Sequence, residues 1–340
     1  MSFSKKIAEI MAVSDFSGAK VTVLGYGAMG KEYVKALQAL KVKEILVCSR
    51  SEAPLKELQG FKGITVQSGG YENLKAKPQE KELVIIALPV ADLIPASKFL
   101  KELGYKKFLI EKPVSLYSSE LESFLHQFET PGISAFCAYN RIAYPSLLEA
   151  RGFAEAEGGI TSCHYTLTEM VRSDWTERFS KEELSRWGAS NTIHVISMAH
   201  ALIGAPKSWQ GSRSGDSLSW HPSGTTFVGS GVSEKNILFS YHADWSSKGR
   251  WGVEFYTSKA AYRFCPLEKL FRREVATKDW EEVPITTFAP GVKVGFAEQV
   301  AATLNTNVRE KMGFVSLKEA YVWTRFAEEV FGYNGEKNHA

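Results

Sequence analysis

Val21-Thr-Val-Leu-Gly25-Tyr-Gly27-Ala-Met-Gly30 is the stretch that decides the fold. A β-branched apolar run leads into glycines at G-x-G-x-x-G spacing, and an amphipathic, helix-like segment, Lys31–Leu40, follows. In such a stretch Gly25 permits the tight turn, Gly27 lets the backbone approach a diphosphate, and Gly30 lets the helix pack on the strand. The anion then sits where free N–H groups and the helix dipole favour negative charge. Strand before, helix after and a βα series beyond are the context that this spacing requires. Gly25, Tyr26, Gly27, Ala28, Met29 and Gly30 are therefore expected to hold the diphosphate of a dinucleotide.

Outward from this point, the chain as far as Ala138 alternates between two textures. Short apolar runs (Val21–Leu24, Glu44–Val47, Gly63–Val66, Leu83–Leu88, Phe108–Ile110, Ile133–Phe136) are separated by helix-like stretches, among them Ala91–Leu103 and Ser118–Phe128. Runs that are apolar on both faces suit a parallel sheet covered by helices on both sides. The second run, Glu44-Ile-Leu-Val-Cys-Ser-Arg50, ends without the acid that would bind the ribose diol of NAD. Ser49, Arg50 and Ser51 offer a guanidinium and hydroxyls instead, which suits the 2′-phosphate of NADP(H). Arg50 stacked on adenine, with NAD(H) also accepted, is the other reading.

Beyond Tyr144 the texture changes. All eight tryptophans lie past residue 170, and Thr161–Thr168 alternates Cys163, Tyr165 and Leu167 with His164, Thr166 and Thr168. Asn236–Asp244 and Val253–Phe264 alternate in the same way, predicting a mainly antiparallel sheet with one covered face. Helical stretches close the chain, one starting near Gly295 and another at Ser316, where Ser316 and Glu319 make a capping box. The first residues predict a short leading helix over 3–14, with Ser4 as its cap.

Composition narrows the function classes. A chain of 340 residues predicts two domains. A net charge of +3, spread along the sequence, argues against nucleic acid or an anionic membrane as main partner. No apolar run reaches membrane-spanning length, and Glu9 interrupts the only candidate leader. Four scattered cysteines without a C-x-x-C pair predict neither a metal centre nor a disulfide framework, and fit a reducing, cytoplasmic setting.

Taken in order, Gly25–Gly30, Leu88-Pro89, Glu111-Lys112-Pro113, Tyr139-Asn-Arg-Ile-Ala-Tyr-Pro145 and Thr192-Ile-His194 resemble the glucose-fructose oxidoreductase / inositol dehydrogenase / MocA-type oxidoreductases. The resemblance spans nearly the whole chain. It implies an α/β protein with a Rossmann doubly wound parallel sheet over residues 1–143. A C-terminal α/β domain over 144–340, with a large, mainly antiparallel open sheet, would hold substrate and join subunits into a homodimer or homotetramer. It also implies hydride transfer to or from a sugar, sugar nucleotide or related cyclic polyol or ketone. Leu88, Pro89, Glu111, Lys112 and Asn140 would lie along the cofactor.

Lys112 matches the family's lysine beside the reacting carbon, where an ammonium stabilises charge developing on a carbonyl oxygen. His194 matches its active-site histidine. Many members carry an aspartate four residues earlier, where this chain has Ser190 beside Asn191, so proton relay would rest on Lys112 and His194. Arg141, Trp175, Trp187, Ser190, Asn191 and His194 are the candidate substrate contacts. Imine reduction with the same hydride donor, or a cofactor-binding regulatory protein with a decayed site, are the alternatives left by the missing acid.

Overall fold

A computed structural model describes residues 2–74, 77–274, 276 and 278–333. Helix α1 (Phe3–Val13) leads into β1 (Lys20–Leu24), α2 (Ala28–Ala39), β2 (Glu44–Ser49), β3 (Ile64–Ser68), β4 (Leu83–Ile86), α3 (Val90–Leu103), β5 (Lys107–Glu111), α4 (Ser118–Phe128) and β6 (Ser134–Ala138). The predicted strands and helices up to Ala138 are all present, with ends shifted by one to three residues. The cap of α1 is Ser2, which accepts from the Lys5 N–H; Ser4 is instead buried inside the helix, its N–H bonded to Glu149. That corrects the expected cap: a helix starting at Phe3 leaves Ser4 in the first turn, where it cannot cap.

The six strands pair in the order β3-β2-β1-β4-β5-β6, all parallel. Strands are added outward in one direction from β1 to β3 and in the other from β4 to β6, and ligands bind such sheets at the switch point between β1 and β4, beyond the C-terminal strand ends. Successive residues of the buried strands supply opposite faces: Leu83, Ile85 and Leu109 pack on one side, and Val84, Ile86, Phe108 and Ile110 on the other. Both faces are dry, which is why these strands read as unbroken apolar runs.

After α5 (Pro145–Ala156) comes the second sheet, built from β7 (Ser162–Thr166) and, beyond α6 (Trp175–Arg178), α7 (Lys181–Ser185) and α8 (Ile193–Ile203), from seven further strands. These are β8 (Pro206–Ser214), β9 (Thr226–Ser233), β10 (Leu238–Asp244), β11 (Gly252–Tyr256), β12 (Ala260–Phe264), β13 (Phe271–Glu274) and β14 (Glu281–Glu282). Their order is β14-β13-β12-β11-β7-β10-β9-β8, and only the β7–β10 pair is parallel. Cys163, Tyr165 and Leu167 are buried as the alternation predicts. The segment Val253–Phe264, read as one alternating run, is two antiparallel strands joined through Thr257.

The chain then returns to the first sheet. Helices α9 (Phe296–Leu304) and α10 (Thr306–Met312) join the apolar cluster of α1, α2 and β1, with Phe296 against the ring of Tyr33 at 4.8 Å. The last helix, α11 (Leu317–Phe331), carries the expected Ser316–Glu319 capping box and packs against α4 and α8. The segment before α9 thus lies near the opening of α2, far from it in sequence.

Candidate functional site

The glycine loop between β1 and α2 has the shape of an anion cradle. Gly25 has a φ of 87°, and a Cβ there would overlap the Ala87 carbonyl; one on Gly30 would overlap the Gly25 carbonyl. Gly27, by contrast, faces open space. Two glycines are therefore needed for the bend itself, while the third leaves the approach clear. Ala28 and Met29 form the first turn of α2, whose free N–H groups point the same way. Tyr26 is buried and donates to Glu57, tying down the loop.

Beyond the end of β2, a cleft is lined by Gly25, Ser49, Arg50, Gly70, Tyr71, Glu72, Leu88 and Asp92. Arg50 is exposed at its rim, and Ser51 is exposed beside it. Pro89 caps α3. The cleft also contains two acids, Glu72 and Asp92, that the second strand gave no reason to expect.

Glu111 and Lys112 end β5 at the same edge of the sheet. Glu111 is buried and accepts a 2.5 Å bond from the Tyr33 hydroxyl; burial holds its carboxyl above the usual range. The Lys112 ammonium donates to the Ser190 carbonyl at 2.9 Å. Burial pulls its pKa down to about 8 against the opposing pull of Glu111, and Arg141 and Lys293 lower it further. Ser190 sits in a single π-helical turn, Gly188–Thr192, which leads into α8. It serves Lys112 through its backbone, and an aspartate is not needed for that bond.

A carboxylate is nevertheless present. Glu169, just past β7, is 4% exposed and accepts from Thr192 Oγ1 at 2.5 Å and from Asn191 Nδ2 at 3.3 Å. Burial raises its pKa to about 7, although these donors favour the charged form. The indole N–H groups of Trp251 and Trp187 face it electrostatically without making a hydrogen bond of normal geometry. Sequence reading missed this residue because it looked for an acid one helical turn before His194; here the acid comes from a strand end instead. The available signal was an acid directly following the alternating run Thr161–Thr168.

His194 is buried, lies 6.0 Å from the Trp251 ring, and has no partner on Nδ1. Burial, then the charges of Arg141, Lys112 and Lys293, hold its pKa well below 6.5. Asn140 is buried and donates to the Val294 carbonyl, so it ties the segment before α9 to the sheet edge.

A cavity of about 330 Å³ opens here, lined by Arg141, Thr168, Glu169, Met170, Trp175, Arg250, Trp251, Pro266, Leu267 and Glu268. Arg141 stacks on Trp251 at 5.1 Å, and its Nε has no partner. Of the two tryptophans singled out in the sequence, Trp175 forms part of the wall. Trp187 lies behind it at 4.4 Å, buried, and is core rather than wall. Arg250, Trp251 and Glu268 were not legible, since they come from loops around β11 and β12. Among the described residues no cluster of His, Cys, Asp or Glu is arranged to hold a metal, and no helix is long and apolar enough to cross a membrane.

A family model, Shikimate / quinate 5-dehydrogenase, matches residues 6–110, within the first sheet. No curated protein sequence matches the chain. Among solved structures, UDP-N-acetylglucosamine 3-dehydrogenase from Acidithiobacillus ferrooxidans is similar at 12% identity and a TM-score of 0.68, covering 93% of this chain and 98% of its own. An oxidoreductase from Thermotoga maritima is similar at 16% identity and a TM-score of 0.72, over 93% of this chain and 97% of that one. Levoglucosan dehydrogenase, in complex with NADH and L-sorbose, is similar at 17% identity and a TM-score of 0.70, over 92% and 96%. The chain shares the two-sheet fold of these dehydrogenase and oxidoreductase structures over nearly its whole length.

Proposed function

We propose that this chain is an NADP(H)-dependent oxidoreductase that moves a hydride to or from a sugar, sugar nucleotide or related cyclic polyol or ketone. The observation that carries the reading is the placement of Lys112 and Glu169. Glu169, its carboxyl pushed up to about 7, lines the cavity and acts electrostatically on the Lys112 ammonium, pulled down to about 8 just past β5. Lys112 is held by Ser190, in the same turn as Asn191 and Thr192, the donors to Glu169. Two proton-carrying groups poised near neutrality are what the interconversion of carbonyl and alcohol needs. That fold relatives include dehydrogenases of carbohydrate-like molecules agrees with it.

The dinucleotide, when bound, supplies or accepts the hydride at its nicotinamide ring. Gly25–Gly30 and the start of α2 would hold its diphosphate, with Ser49, Arg50, Ser51, Leu88 and Pro89 toward the adenosine end and Glu111, Lys112 and Asn140 toward the ring. Lys112, steadied by the Ser190 carbonyl, donates to the substrate oxygen as negative charge develops there. Glu169 supplies the proton in reduction and takes it in oxidation, which is the role the missing aspartate left open. His194 lies behind the Trp251 ring with a buried, unpartnered Nδ1, so its part is to shape the electrostatics around Lys112. Trp251 and Trp175 give apolar faces for a ring, while Arg141, Arg250 and Glu268 offer polar contacts.

The direct test is NADPH or NADH consumption by the purified protein with keto-sugars and cyclic imines. Formation of reduced cofactor from UDP-N-acetylglucosamine, levoglucosan and myo-inositol covers the opposite direction. Turnover of a carbohydrate is expected; turnover of imines alone would move the activity to C=N reduction. For cofactor choice, Arg50→Ala is expected to weaken NADPH about tenfold or more while barely changing NADH, because a charge-assisted contact to the 2′-phosphate is lost. Equal weakening of the two in calorimetry would mean that Arg50 only stacks on the base and that Glu72 reads a ribose diol.

A further inference from the structure

We propose that Lys293 is a cofactor ligand: it closes over the glycine loop from the C-terminal part of the chain and binds the dinucleotide's diphosphate. This rests on the dinucleotide reading above and adds a residue to it. Lys293 precedes α9, and its backbone N–H donates to Glu32 Oε2 at 3.0 Å, which fixes it over the first turns of α2. Its ammonium reaches Met29 Sδ at 3.3 Å, inside the glycine loop itself, and lies 5.3 Å above the Phe296 ring. A thioether is a weak acceptor. Glu32 already holds Lys35 through its other oxygen at 2.7 Å, and Glu111, the acid whose charge acts most on Lys293, is itself bonded to the Tyr33 hydroxyl. Among the described residues the ammonium makes no ion pair, and Met29 Sδ is its side-chain contact.

Its electrostatic reach marks the location from the other side. Lys293 is among the charges that lower the pKa of Lys112 and His194 and favour the charged form of Glu111. It stands between the anion cradle and the reacting end, the interval that a diphosphate must cross. The neighbouring Val294 carbonyl is held by Asn140, so the segment is anchored at both edges of that interval. Lys293 is an exposed residue, and its ammonium is held only by the weak contacts with Met29 and the Phe296 ring, which an incoming anion can replace. A positive charge there adds to the N–H groups of α2 and compensates one of the two phosphate charges that the loop's neutral backbone meets only with N–H groups.

The test compares wild type, Lys293→Met and Lys293→Arg for binding of NADPH and NADH by cofactor fluorescence and calorimetry. The probe for the adenosine end without any of the diphosphate is 2′-AMP, or adenosine should NADH be the tighter cofactor. Lys293→Met is expected to weaken the dinucleotide about tenfold, Lys293→Arg to stay within about threefold of wild type, and the adenosine fragment to bind all three alike. The loss in Lys293→Met should shrink as salt is raised. If Lys293→Met binds the dinucleotide as wild type does, or loses the fragment equally, Lys293 is no diphosphate ligand while the cofactor reading stands. Should wild type bind neither dinucleotide, the cofactor reading falls and this inference with it.

Discussion

Replacing Lys112 with Met is expected to lower turnover by two to three orders of magnitude while leaving NADPH affinity within a few-fold of wild type. Methionine is close to lysine in length and fills the same space, so what disappears is the positive N–H donor at the reacting oxygen. Removing one such donor from a preorganised, largely dry site costs on the order of 3 kcal/mol of transition-state stabilisation. The apolar side chain also leaves the Ser190 carbonyl without the bond it receives from Nζ. That loss is local to the π-turn and is expected to show as a small drop in thermal midpoint. Steady-state kinetics separate the two effects: a donor acting on the transition state moves kcat, while loosened binding would move KM. Unchanged kcat in a folded Lys112→Met protein would remove Lys112 from the chemistry and favour a regulatory protein that merely keeps its cofactor.

The second large effect is expected from Glu169→Gln, in both rate and stability. As a proton donor in reduction, Glu169 works in its protonated form, so the wild-type rate should fall as pH rises through about 7, followed by Lys112 near 8. In the glutamine variant the limb near 7 should vanish and the rate should drop about a hundredfold. Stability moves the other way. The folded-state pKa of Glu169 is raised above the ordinary 4.5, so the folded state holds its proton where the unfolded chain has released it. Stability is therefore lost as pH rises from about 4.5 to 7 and is constant above that window. At roughly 1.4 kcal/mol per pH unit the burial costs about 3 kcal/mol above pH 7. Denaturant titrations of Glu169→Gln should recover much of this at pH 8 and little at pH 4. A purely structural role for Glu169 would give the stability change but leave the pH–rate limb near 7 in place.

Glu169 also shows why the site was only half legible. Ser190 departs from the family pattern, and the buried carboxylate beside Asn191 and Thr192 comes from elsewhere in the chain, beyond the one neighbouring position per turn that a helix offers. A strand end brings a side chain from any distance in sequence, and 21 residues separate Glu169 from Ser190. Trp251 and Arg250 escaped notice for the same reason, as did Lys293, which reaches Met29 across 264 positions of sequence.

What the sequence determined by itself was whatever local chemistry enforces. The three glycines could be assigned separate duties because each is a constraint on backbone shape, and the apolar runs announced a sheet covered on both sides because every face of each strand must be dry. The capping box at Ser316 and the alternation in Thr161–Thr168 belong to the same kind. The tertiary structure alone decided which charged groups share a dry space. Burial and neighbouring charges set the proton affinities of Lys112, Glu169 and His194, and these are properties of the assembled cavity that no single segment carries.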